Sequence, residues 1–102
     1  MKLRHAAFIF LGPELDPEMH RSDIKTPQFT LTSIGVAADN WAQIIKTAKA
    51  LVVEGVQAIE LCAGFGPAGI AKIAEALNHK IPVGGVFYGA ESCKSFLDLL
   101  KD

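Results

Sequence analysis

Glu60, Cys62 and the turn Gly64-Phe65-Gly66-Pro67-Ala68-Gly69 lie within ten consecutive positions, and each brings a different chemistry. Glu60 is the one charged residue in the expected strand Val56 to Cys62, so if buried its carboxylate must be paired, hydrogen-bonded or protonated. A raised pKa there would suit a general acid or base, whereas an approach to Arg4, His5 or a neighbouring subunit would make it one half of an ion pair. Cys62 offers a nucleophile or a small packing group. The glycines allow a tight strand-to-helix turn whose free N–H groups, at Ala68 and Gly69, can face an anion. They can equally serve only to turn the chain.

The turn spells G-x-G-x-x-G, the pattern of dinucleotide-binding loops, but the rest of such a site is missing. Pro67 removes one donor, and the next acidic residue after the following strand is Glu91. At 102 residues the chain is roughly half a doubly wound nucleotide fold. A P-loop has still less support, because no Lys-Ser/Thr pair follows the glycines. The best ligand for the turn is therefore a small anionic metabolite, and no cofactor is assigned. His20 and Arg21, in the long connection that follows Gly12, can reach a ligand held there and can equally cap or brace that connection. The candidate catalytic set is Glu60, Cys62 and His20; the candidate binding set is Gly12, Arg21, Gly64, Phe65, Gly66 and Gly69. No metal site is expected, since His5 and His79 lie far apart and no carboxylate stands at ligand spacing.

Alternating strands and helices must position these groups. Ala6 to Leu11 is a continuous apolar run of strand length, fit for a central strand. In Gly12 to Pro27, Asp16-Pro17 is a start signal for a short helix. Gln28 to Ile34 alternates polar and apolar residues and reads as an edge strand. Asp39 or Asn40 caps a helix carrying Trp41, Ile44, Ile45, Ala48, Leu51 and Val52 at helical spacing, and Gly55 stops it. Val56 to Cys62 is a strand, Pro67 to Leu77 a helix ending at Asn78, and Val83 to Tyr88 a strand broken by glycines. Ser92 then caps a last helix expected to bury Phe96, Leu97 and Leu100. This order predicts an α/β fold with a four-stranded, mostly parallel sheet. The preferred spatial order is second, first, third, fourth, as in flavodoxin-like sheets; a hairpin between the first two strands is the alternative. In the preferred order the Gly12 and Gly64 loops meet at the switch point where such sheets bind ligands.

Composition narrows the partners. Ten basic and eleven acidic residues give a net charge of -1 with no run of either sign, which argues against nucleic acid. The apolar start is too brief for a signal peptide, and no segment approaches membrane-spanning length, so a cytoplasmic location is expected. The two cysteines, Cys62 and Cys93, lack C-x-x-C spacing and are expected to be free thiols. Half the residues are hydrophobic, an excess for one small domain that points to a homo-oligomer.

The apolar Ala6 to Leu11, the string Asp16-Pro17-Glu18-Met19-His20-Arg21 and above all Ile59-Glu60-Leu61-Cys62-Ala63-Gly64-Phe65-Gly66 form a recognisable set. With Ala71 to Ala76 and Ile81 to Gly84, they make the chain resemble an uncharacterised prokaryotic family of small α/β proteins. The resemblance implies a small α/β fold with a distinctive glycine loop and carries no activity. Three functions follow from the residues: a binding protein for an anionic metabolite, a small enzyme using Glu60 or Cys62 on a carbonyl or phosphorylated compound, and an assembly module without a ligand.

Overall fold

The computed structural model describes residues 1–102. Its strands are β1 (His5–Leu11), β2 (Arg21–Lys25), β3 (Thr30–Val36), β4 (Ala58–Leu61) and β5 (Val83–Gly85). Its helices are α1 (Trp41–Val53), α2 (Gly66–Ala76) and α3 (Ala90–Leu99), with a single 3-10 turn at Ala63–Phe65. One mixed sheet runs in the order β2-β3-β1-β4-β5. β1 pairs in parallel with β3 and β4, and β4 with β5. The expected four strands become five: β2 pairs antiparallel to β3 and takes the edge that the sequence assigned to the 28–34 strand. The hairpin therefore joins β2 to β3, and the first and second expected strands are parallel neighbours. Around Asp16 there is a turn in place of a helix, with the backbone N–H groups of Met19 and His20 both donating to its carbonyl.

Handedness explains what covers the sheet. The steps β3 to β4 and β4 to β5 move the same way across it, so right-handed crossovers put α1 and α2 on one face. The step from β1 to β3 moves the opposite way, and a helix in it would cover the other face. That connection forms an edge strand instead. Side chains alternate accordingly. Ala7, Ile9, Ile34, Val36, Ile59 and Leu61 are buried beneath Ile44, Ala48 and Leu51 of α1 and Ile73 of α2. Phe8, Phe10 and Ala58 on the other face stay half-buried, and Glu60 is exposed.

The helix ends follow local rules. Asn40 caps α1 by accepting from Gln43 N at 3.0 Å, and Gly55 leaves it with φ 101°. Asn78 and His79, both at φ 54°, turn the chain away from α2, where Asn78 was expected to do so. α3 departs from expectation: its N-cap is Gly89, not Ser92, and none of its residues is buried. Only Phe96 is half-buried, beside Tyr88 at 4.2 Å between ring centroids, while Leu97 and Leu100 are 50% and 58% exposed.

Candidate functional site

The carboxyl ends of β1, β3 and β4 open into a cavity of about 820 Å³, walled on its far side by the segment after β5. Phe8 and Phe10, stacked at 6.2 Å, belong to the uncovered sheet face and form its floor. Cys62, Ala63 and Gly64 make one wall; Val86, Tyr88, Phe96 and Leu100 make the other. Gly12, Pro13, Glu14 and Ala37 to Asp39 form the rim. The Gly12 and Gly64 loops thus meet, as the switch-point argument expects. Gly12 packs under Leu15, whose Cδ1 would stand 2.5 Å from an added Cβ and would have to move aside. Glu14 beside it has φ 63°, a left-handed conformation uncommon for a residue with a side chain. The charged lining residues are both acidic, Glu14 and Asp39.

Cys62 directly follows β4 on the cavity wall, where its Sγ accepts from Leu11 N at 3.3 Å and ties β1 to the turn. Gly64 stands between this cavity and a smaller hollow of about 380 Å³ at the start of α2. Leu11 is close enough that a Cβ on Gly64 would lie 3.2 Å from its Cδ1. Phe65 is 7% exposed and sets its ring at right angles to Trp41, 5.9 Å away, so it belongs to the core as well as to the hollow's lining. Gly66 has φ 64° and ψ 178°, a conformation essentially confined to glycine. Gly69 packs against Phe65, whose Cβ would be 3.0 Å from an added methyl. Lys72, one helical turn on, holds its Nζ 4.2 Å from the centroid of Trp41 and gives the smaller hollow its cation.

A family-wide sequence profile covers residues 4–101, from the first strand through the last helix. The chain belongs to DUF6506, a family of unknown function. No curated protein and no solved structure matches it. The small α/β fold implied by the resemblance is the fold observed.

In this DUF6506 chain the three expected catalytic residues do not share the cavity: only Cys62 lines it. Glu60 lies exposed on the sheet face in register with Phe8 and Gly84, and forms no ion pair with Arg4 or His5. His20 turns its Nδ1 back to accept from Asp16 N at 2.9 Å, bracing the first connection. Arg21 points to the helical side of the sheet, where it grips Glu54 at the end of α1 through two bonds of 2.6 and 3.0 Å. Neither His20 nor Arg21 lines the large cavity.

Arg21 belongs to a polar chain that sequence reading missed. Thr32 Oγ1, fully buried, donates to Asp23 Oδ1 at 2.6 Å and lies 2.8 Å from His5 Nε2. A hydroxyl has one proton, so His5 Nε2 must be the donor to Thr32. Arg21 reaches Asp23 at 3.5 Å and completes the line His5-Thr32-Asp23-Arg21-Glu54. The Thr32 hydroxyl is the chief reason that the Asp23 carboxyl titrates below its ordinary value. The hydrogen bond from Arg21 does the same for Glu54 and, in return, raises the guanidinium's own pKa. The polar alternation Arg21, Asp23, Lys25 was the available signal, but without an apolar face it does not read as a strand.

Proposed function

We propose that this chain binds a small, predominantly apolar molecule between the uncovered sheet face and α3. The observation that carries the reading is the aromatic and aliphatic lining of the 820 Å³ cavity at the carboxyl ends of parallel strands. Its size falls within the range of about 300–1,000 Å³ typical of small-molecule sites. Acidic Glu14 and Asp39 at the rim, with no basic side chain in the lining, favour a neutral or cationic ligand over an anion. Binding is the activity proposed, because Cys62 has neither Glu60 nor His20 beside it in the cavity to act as its base. Titration with 1-aminoanthracene, a neutral aromatic fluorophore, tests it. Saturable enhancement that Ala38→Trp suppresses is the expected result, since Ala38 is an exposed rim residue whose enlargement narrows the mouth. Enhancement that never saturates, or that Ala38→Trp leaves unchanged, would rule the cavity out.

A second reading keeps the anion but moves it. Lys72 and the first turn of α2 both face the smaller hollow, so an anion would be held there and not in the large cavity. Inorganic phosphate should then raise the melting temperature of the native chain and fail to raise that of Lys72→Ala. Equal shifts in both proteins would dismiss it.

A further inference from the structure

We infer that the uncovered sheet face and the apolar side of α3 form the interface of a two-fold homodimer, each copy's α3 lying against the sheet face of the other. The proposed interface adjoins the cavity and shares Phe8 and Leu100 with its lining, whereas Phe87, Leu97 and Leu99 lie outside it.

Surface area gives the first argument. The chain exposes 6757 Å². A folded monomer of 10.9 kDa is expected to expose about 5,600 Å². The surplus of about 1,200 Å² exceeds the roughly 800 Å² that each partner contributes to a standard stable interface. The Cα radius of gyration, 13.9 Å, is likewise above the value of about 12.8 Å expected for this length.

Six of the ten exposed large hydrophobic residues lie in the segment that follows β5, among them Phe87 at 63%, Leu97 at 50%, Leu99 at 81% and Leu100 at 58%. On the other side of α3 a solvent face is already complete: Lys94 and Lys101 pair with Asp98 at 3.1 and 3.4 Å, and Glu91 lies on the same stripe. A helix with one finished polar face and no buried residue on the other is half of an interface. The sheet supplies the other half, because the connection that would have laid a helix over Phe8 and Ala58 forms β2 instead. One chain therefore carries both an uncovered sheet face and an uncovered helix. Two copies satisfy both at once through a two-fold axis, the commonest closed symmetry, with no surface left to propagate.

Sedimentation velocity on the full chain tests this. The native protein should sediment as a species of twice 10.9 kDa. Phe87→Asp and Leu99→Glu should each sediment as a monomer with unchanged far-ultraviolet circular dichroism, since both residues are exposed within the single chain. Lys94→Glu, on the polar stripe, should leave the dimer intact. A native monomer, or a dimer that survives both apolar-to-acidic substitutions, would overturn the inference. Phe87 and Leu99 do not line the cavity and Ala38 is not part of the proposed interface, so the two proposals can fail separately.

Discussion

Glu60 was the most conspicuous residue in the sequence and is among the least constrained in the structure, exposed and without an ion pair. It appeared buried because its neighbours Ile59 and Leu61 are; strand alternation turns those two into the core and Glu60 to the uncovered face. Thr32, silent in the sequence, is the residue whose removal should be felt. Thr32→Val keeps the shape and deletes the donor to Asp23 and the acceptor for His5. Its cost should be about 1 kcal/mol, the usual net worth of a hydrogen bond, because Asp23 and His5 retain access to water. The Asp23 carboxyl should titrate higher in the variant, which carbon-detected NMR would follow; an unmoved titration would show that the hydroxyl does not hold the carboxylate. Gly66 offers a separate test. Nothing lies within 4 Å of an added Cβ, so Gly66→Ala should destabilise by strain alone, by about 1–3 kcal/mol in chemical denaturation. A neutral result would mean that the turn adopts another conformation in solution.

The elements divide by how their sequences advertise them. α1 was legible from apolar spacing, cap and stop, and β1 from its unbroken apolar run. β2 was not, because Arg21-Ser22-Asp23-Ile24-Lys25 buries nothing and is attached through charges and the ladder to β3. That mode of attachment makes the edge strand acid-sensitive. Asp23 and Glu54 both titrate below their ordinary values in the folded chain. Their contribution is therefore complete above the unfolded carboxylate pKa of about 4 and is lost as pH falls through the lower folded values. Urea midpoints should fall as the solution is acidified below about pH 4, and Arg21→Gln should flatten that fall. An equal slope in the variant would place the acid sensitivity elsewhere. The last helix failed for a different reason: periodicity identified Phe96, Leu97 and Leu100 as an apolar stripe, but a stripe does not say which surface will bury it.

At the scale of the molecule, one topological choice links the site to the proposed assembly. Using the first connection for an edge strand leaves a two-layer protein whose sheet has one finished face. Hydrophobic composition signalled the consequence without locating it, since half the residues are apolar and yet only 18 of 102 are buried. A chain so open draws on association for part of its stability, because a partner that binds only the folded state shifts unfolding by mass action. The melting temperature of the native protein should therefore rise with protein concentration. For Leu99→Glu it should be independent of concentration and equal to the native value extrapolated to high dilution. Leu99 is 81% exposed and contributes nothing to the core of one chain, so a variant less stable than the diluted native protein would contradict this account. Differential scanning calorimetry over a hundredfold dilution, about two decades, covers a range in which a dimer with micromolar affinity dissociates. A native melting temperature that does not move across that range would leave the uncovered face with no second copy to stabilise it.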